Sequence, residues 1–393
     1  MAGERTLASL SNYRKRYKKA NRPGRSKLLD EFCEMTDYHR KYSITLLGRA
    51  VDAVAPEGPR RRRGASYGPA VTRALAYVWE CAGYPWSVRL KAMLPQWLPW
   101  ARRHFRSLTS EVEQALLNIS PRQMDRLLAD KKRCKKKRLY GHTKPGQLLK
   151  NQIKIRTDNW DVITPGYLEI DLVVHCGPSA SGEFICSFNL TDICTGWTET
   201  RALMGKGEAG VVTALEEIRL ELPFDLLAID SDNGSEFINH HLTRWCQSHT
   251  IAFTKSRPYK KNDNAHIEQK NWTHVRRIFG WDRYDTPEQC AMMNALYRNE
   301  LYQMQNFFQP CVKLVEKTRV GSKVRRRYDT ATTPLDRLVA FHGNGPIPLH
   351  VQTLLAIRNN LDPFALSSKI DAGLQRLTRT TRKIEHIQNI DIV

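Results

Sequence analysis

Apolar positions recur at helical spacing through the first third of the chain. In KLLDEFCEM (27–35), Leu28, Leu29, Phe32 and Cys33 fall on one helical face. A polar break follows near Thr36 and Asp37, and a second helical stretch runs from about Arg40 to Leu47. Two short helices with a tight connection predict a helix-turn-helix unit, or more blandly a helical hairpin. In the first case the second helix reads a DNA groove, with His39, Arg40 and Lys41 near its start. The helical period returns between 69 and 136, through VTRALAYVWECAG, VRLKAMLPQWL and SEVEQALLNI. In SPRQMDRLLAD (120–130), Ser120 can cap, Pro121 fits the first turn and Gln123 can complete a capping box, which predicts a second unit of the same kind.

The pattern changes at about residue 165. Strand-like runs appear at GYLEIDLVVH (166–175), EFICSFNLTD (183–192) and GWTETRAL (196–203), with GPSASG (177–182) as a turn. A helix is predicted over 209–222, a buried strand at FDLLAID (224–230), a helix over 235–248, a short strand at IAFTKS (251–256) and a helix over 264–279. Sequential strands followed by strand–helix alternation predict an α/β core on a mixed five-stranded sheet. Beyond 310 the chain reads as a basic, turn-rich stretch (316–330), then short helices and an ill-defined tail over 335–393. The expected organisation is multidomain. A helix-turn-helix-like region spans 1–55, an Arg-rich linker 56–68, a second helical DNA-binding region with a basic tail 69–150, the α/β core 160–305 and a small basic region 306–393.

Charge sharpens this division. The 393 residues carry a formal net charge of +22. Between 165 and 300 there are 13 Lys and Arg against 19 Asp and Glu, a net of −6, so the flanks carry +28. Basic flanks around an acidic core fit an enzyme held on a polyanion by separate modules. The densest basic runs are Arg60, Arg61, Arg62 and Arg63 in the linker, and KKRCKKKR (131–138), which includes Lys131 and Lys132. Both suit phosphate contacts, although a basic run can equally be a solvated face. No run of about 18 apolar residues predicts a membrane span, and the N-terminal segment has no apolar stretch of the secretory kind. Nine scattered cysteines, none in a C-x-x-C pair, predict reduced thiols, a cytosolic location and no structural zinc.

Three carboxylates stand apart by context. Asp171 lies mid-strand in an apolar run, where a carboxylate is costly unless a cation or donor compensates it. Asp232 follows the apolar strand FDLLAID in an SDNG turn, at the end of the strand where α/β sheets place ligands. Glu268 sits early on the predicted helix at 264–279, with 35 residues between it and Asp232. Asp230 and Asp192 are competitors. Asp230 is expected to point away from its alternate neighbours, and Asp192 to fix the turn after the second strand.

An Asp on the first strand, an Asp in a DNG turn and a Glu 35 residues further on a helix resemble the D,D(35)E core of retroviral integrases and bacterial insertion-sequence transposases. The likeness covers about 160–280, and the flanks resemble the bacterial enzymes, since the viral His/Cys zinc-binding N-terminal domain is missing. The resemblance implies a ribonuclease H-like fold and a polynucleotidyl transferase. Two Mg²⁺ or Mn²⁺ ions would be held by Asp171, Asp232 and Glu268, with Asp171 bridging them. Water would first free a 3′-OH at an element end, and that 3′-OH would then attack target DNA. The implied partner is double-stranded DNA, bound by a homo-oligomer of at least two copies in the bacterial cytosol or nucleoid. Lys270, Arg276 and Arg277 beside Glu268, with Lys260 and Lys261 in the preceding loop, could hold the DNA end. A ribonuclease H-like nuclease or resolvase without strand transfer, and a non-catalytic DNA-binding derivative, are the competing readings.

Overall fold

The computed structural model describes residues 2–48, 67–105, 108–133, 162–231, 240–255, 265–320, 323–343 and 345–390. The expectations for Asp232, for Arg60 to Arg63, for Lys260 and Lys261, and for the basic stretch beyond Arg133 fall outside these residues. The chain divides into two compact units, Met1–Ser66 and Tyr67–Val393.

The first unit is three helices, α1 (Ala2–Lys19), α2 (Arg22–Thr36) and α3 (Arg40–Gly48). The predicted break is real. Thr36 ends α2, and Asp37 adopts φ 55°, a left-handed cap whose N–H reaches Cys33 O. Leu29, Phe32 and Leu47 form a small core, closed from α1 by Leu10, Tyr13 and Tyr17. Cys33 Sγ donates to Ser43 Oγ at 3.3 Å across the α2–α3 angle.

The second unit is built on the predicted mixed sheet. Its strands are β1 (Tyr167–Val174), β2 (Ile185–Asp192), β3 (Thr198–Met204), β4 (Ala228–Ser231) and β5 (Ala252–Lys255), in the order β3-β2-β1-β4-β5. The β1–β2 and β2–β3 pairs are antiparallel, while β1–β4 and β4–β5 are parallel. One face is covered by α9 (Glu208–Glu221) and α10 (His240–Ser248). Leu168, Ile170, Phe188, Leu190 and Ile229 of the sheet meet Val211, Leu215, Ile218, Leu242 and Trp245 there. This is the alternation expected of a sheet with one apolar and one more polar face.

Before the sheet come α4 (Pro69–Cys81), α5 (Ser87–His104), α6 (Ser110–Asn118), α7 (Pro121–Leu127) and α8 (Ala129–Arg133). Ser120 caps α7 as predicted, accepting from Gln123 N at 3.3 Å. The return arm of the capping box is absent, because Gln123 Oε1 accepts from Arg126. After β5 come three further stretches. The helix α11 begins at Ala265–Lys270, widens into π-helical turns over Asn271–Arg276 and ends at Arg277–Phe279. The next, α12 (Pro287–Leu296), opens with a full capping box between Thr286 and Gln289 and continues as π-helix over Tyr297–Leu301 and Met304–Phe308. The C-terminal helices are α13 (Pro334–Phe341), α14 (Leu349–Asn360) and α15 (Pro363–Ile390).

These helices do not form the separate modules expected at 69–150 and 306–393. Trp97 and Leu116 from the early helices, Phe279, Tyr297 and Phe308 from the middle, and Leu335, Phe364 and Leu377 from the end share one buried cluster. The short helices expected over 335–393 are present as α13 and α14, while the stretch expected to tail off forms the long helix α15. The expected turn-rich stretch at 316–330 is a two-stranded antiparallel ribbon, β6 (Leu314–Val320) and β7 (Lys323–Tyr328).

Trp97 ties the ends of this unit together. It packs edge-on against Phe308 and Phe364, and its indole N–H donates to Phe308 O at 3.4 Å. Trp97→Ala is expected to cost about 3–5 kcal/mol and to lower the whole Tyr67–Val393 transition together. Chemical denaturation followed by circular dichroism checks this. A loss confined to the early helices would mean that they fold separately.

Candidate active site

Strand alternation sets the site. Leu168 and Ile170 belong to the α9–α10 side, so Glu169 and Asp171 face the other way, toward α11. Both meet that helix directly. Glu169 is buried, and its Oε2 accepts from Ile267 N at 2.9 Å. Asp171 is half-buried, and its Oδ2 accepts from Asn271 Nδ2 at 2.5 Å while Oδ1 accepts from Leu172 N at 2.7 Å. Asn271 Oδ1 in turn accepts from Asn189 Nδ2 on β2 at 2.8 Å.

Glu268 is exposed, one residue after Ile267 and three before Asn271. On a helix, residues three apart share a face, so Glu268 stands beside the residue that holds Asp171. The parallel β1–β4 ladder runs from Tyr167↔Ala228 to Ile170↔Ser231. Asp171 and Asp232 are the next residue of each chain, and Asp232 lies outside the described residues. Among the described residues no cluster of three His, Cys, Asp or Glu is arranged to hold a metal ion.

The two competitors resolve differently. Asp192 is the predicted turn clamp. Its Oδ2 accepts from Thr195 N at 2.6 Å and Thr195 Oγ1 at 2.7 Å, and its Oδ1 from Gly166 N at 2.8 Å. Burial raises its pKa. Asp230 lies on the sheet face that carries Glu169 and Asp171. It pairs across the ladder with Glu169, opposite in facing to Ile229 of the apolar side. Depth distinguishes it instead, since it is fully buried and its Oδ1 accepts from Thr254 Oγ1 at 2.5 Å.

Among the basic residues expected at DNA, Lys270 is corrected. It is buried, with Nζ donating to His274 Nε2 at 3.2 Å, and burial lowers its pKa to about 8. The helical spacing placed it beside Glu268 in sequence but on the inward face of α11. Arg276 is half-buried with its guanidinium 4.0 Å from the Trp281 ring centre. Arg277 is exposed and donates to Tyr84 O. Lys131 pairs with Glu80 at 2.7 Å and Lys132 with Asp125 at 2.6 Å. In the first unit Arg40 pairs with Asp30, and Lys41 is exposed at the start of α3.

Sequence reasoning missed several residues at this end of the sheet. Glu169 lies on the predicted first strand and Lys255 on the predicted strand 251–256, and neither is singled out there. Lys255 is fully buried at the last position of β5, level with Ser231. The signal for both is a charge inside a short apolar strand, the same signal that singled out Asp171. His175 is buried as well. Its Nε2 lies 2.8 Å from Ser187 Oγ, which lies 2.7 Å from Tyr297 OH. Burial, helped by Arg276, lowers its pKa to about 3.

The integrase core domain family matches residues 163–261. A solved structure of the catalytic core domain of BIV integrase is similar at 15% identity, over 45% of this chain and 96% of that one, with a TM-score of 0.31. The HTLV-2 integrase catalytic core, solved with magnesium in a dimeric form, is similar at 14% identity, over 37% of this chain and 90% of that one, with a TM-score of 0.28. The integrase core domain match thus covers the whole five-stranded sheet, from β1 to β5. The chain belongs to one family with the uncharacterized protein y4rM of Sinorhizobium fredii, to which it is 38% identical over 324 residues, 82% of this chain and 91% of that protein.

The buried imidazole makes a testable contribution to stability. Between pH 6.5 and about 3 an unfolded His175 takes up a proton that the folded one does not. Stability from this group is therefore complete above 6.5 and lost as pH falls, by up to about 1.4 kcal/mol per pH unit. Glu199, raised to about 7 by burial, acts in the opposite direction between 4.5 and 7. The measurement is therefore a difference: His175→Asn is expected to flatten the acid limb of the stability–pH curve relative to the unaltered chain. Parallel curves would contradict the buried neutral assignment.

Proposed function

We propose that this protein is a DNA strand-transfer enzyme, a transposase or integrase that frees a 3′ end and joins it to a second DNA, with Asp171, Asp232 and Glu268 as the catalytic carboxylates. One observation carries the reading. Asp171 lies where β1 runs past its parallel neighbour β4, and the helix bearing Glu268 is fastened to that same residue through Asn271. The integrase core match over 163–261 supports it and includes both aspartates.

The donor set suits a divalent cation. Hard cations such as Mg²⁺ or Mn²⁺ take carboxylate oxygens and keep positions open for phosphate. Glu268 is exposed and Asp171 only half-buried, so their oxygens are accessible for such bonds. Asp171, Asp232 and Glu268 would hold two ions, which when bound supply charge neutralisation at the attacking and leaving oxygens of an in-line displacement.

The protein's own part is positioning. The Asn271 amide sets the plane of the Asp171 carboxylate and is itself aimed by Asn189. Glu169 holds the first turn of α11 through the Ile267 N–H, which keeps Glu268 on the substrate side. DNA would be held mainly by the flanks: α3 with Lys41 in the first unit, the Arg60 to Arg63 run, and the β6–β7 ribbon with exposed Arg325, Arg326 and Arg327. A two-stranded ribbon fits the major groove of B-DNA. Joining two ends calls for at least two copies of the chain, acting where bacterial DNA lies, in the cytosol.

Full-length protein with Mg²⁺ or Mn²⁺ is expected to join a pre-cut 3′ end into plasmid DNA. Asp171→Asn, Asp232→Asn and Glu268→Gln should each reduce joining by about a thousandfold or more while DNA binding persists, and a chelator should stop the reaction. Cleavage without joining would make the protein a nuclease, and full joining by Asp232→Asn would remove that residue from the site.

The ribbon is tested separately. Arg325→Ala with Arg326→Ala is expected to reduce the slope of log affinity against log salt by roughly 0.9 for each phosphate the ribbon no longer neutralises. An unchanged slope in a duplex-binding titration would remove the ribbon from the DNA surface.

A further inference from the structure

A cavity of about 470 Å³ opens beside the helix that carries Glu268. Its walls come from four parts of the chain: the α4–α5 region with Tyr84, Trp86 and Arg89, the outer side of α11 with Gln269, Trp272 and Arg277, the stretch after α12 with Met304 and Gln309, and α15 with Asp371. The volume is that of a small-molecule or single-nucleotide site.

Two features set its chemistry. The first is positive charge. Arg89 and Arg277 both line the cavity, and burial lowers the pKa of Arg89. Arg89 lies near enough to Arg277, Lys270 and His274 for its charge to oppose protonation of all three. His274 is held neutral, and its tautomer follows from its neighbours. Lys270 Nζ donates to Nε2 at 3.2 Å, so Nδ1–H donates to Thr273 Oγ1 at 2.8 Å, and the Thr273 hydroxyl donates to Gln269 O at 3.0 Å. The histidine therefore adds no charge, and the cationic character of the cavity rests on Arg89 and Arg277, which line it. Two carboxylates, Glu80 and Asp371, line the cavity as well. Glu80 is engaged by Lys131 at 2.7 Å, which leaves Asp371 as the second.

The second feature is aromatic surface. Trp86, Trp272 and Tyr84 are 55%, 43% and 36% exposed and line this one cavity. Exposed rings beside arginines form the combination that holds a base by its face and its phosphate by charge. Trp272 is four residues after Glu268 on the same helix, and both are exposed.

We infer that this cavity takes a single unpaired nucleotide of the DNA, next to the phosphate that reacts at Glu268, its base against Trp272 and its phosphate against Arg89 and Arg277. This rests on the strand-transfer reading for the place of Glu268, but the binding itself requires no catalysis.

The test uses the full-length chain carrying Glu268→Gln, so that nothing is turned over. A single-stranded octathymidylate with one 5-iododeoxyuridine is irradiated on the protein, and the crosslink is mapped by mass spectrometry. The expected adduct is on Trp272, Trp86 or Tyr84. Trp272→Leu should weaken octathymidylate binding about tenfold, with Trp272→Phe retaining most of it and a fully paired duplex binding as before. Arg89→Gln should weaken the octamer similarly. If that variant fails to fold by circular dichroism, the exposed Trp272 decides the matter alone. Adducts elsewhere, equal octamer affinities for Trp272→Leu and the parent, or displacement of the octamer by inorganic phosphate as effectively as by dAMP would each overturn the inference. A chain that joins no DNA but still gives the Trp272 adduct would sink the catalytic reading and leave the nucleotide site standing.

Discussion

The two bonds between β1 and α11 hold the site together. Glu169 receives Ile267 N–H and Asp171 receives the Asn271 amide. Two residues along a strand span roughly 6.6 Å, and four along a helix rise about 6 Å. The strand's step and the helix's turn therefore match, and a pair of carboxylates on one strand face can hold two successive turns of a helix. A carboxylate buried in a sheet is costly unless donors compensate it. Here the compensation also fixes the helix, and with it Glu268.

The same pairing explains the unusual shape of α11. After Lys270 the helix widens into π-helical turns over Asn271–Arg276. Such widening is typical of functional sites, where one residue must be re-aimed without breaking the helix. Inward of this segment Lys270 and His274 are buried together, and outward of it Trp272 is exposed. The wide turns thus separate a buried polar pair from a ring that faces the cavity. The acidic balance of residues 165–300 makes sense in this setting. On the proposed reading, lysines paired to these carboxylates would compete with cations for their oxygens, which fits a positive charge concentrated in the flanks and in the arginines of the cavity wall.

Much of this was legible in the chain. Five strands and the helices of the core followed from the change of hydrophobic period at about 165, and the helix pair at 22–48 from one apolar face and a polar break. The Asp171 signal, a charge inside an apolar strand, marked the carboxylate that accepts from the Asn271 amide of α11. The same logic extended to Glu169 and Lys255 would have found the rest of that sheet end. Asp230 resisted it. Alternation separates Asp230 from Ile229, but not from Glu169 on the next strand, and only pairing register reveals that.

What the sequence determined by itself was local. It set which segments are helix or strand, where they stop, and which carboxylates stand out of place, because backbone sterics, periodicity and desolvation act over a few residues. What only the tertiary structure decided was which distant surfaces meet. Lys270 lies inside rather than at the surface, the helices after 335 pack into the core, and a cavity of arginines and aromatic rings forms beside Glu268 from four separate stretches. Those outcomes depend on the packing of one element's face against another, and no periodicity along a single segment encodes its partner. The three carboxylates remain what the sequence marked out first, and the fold added the strand–helix match that aims two of them.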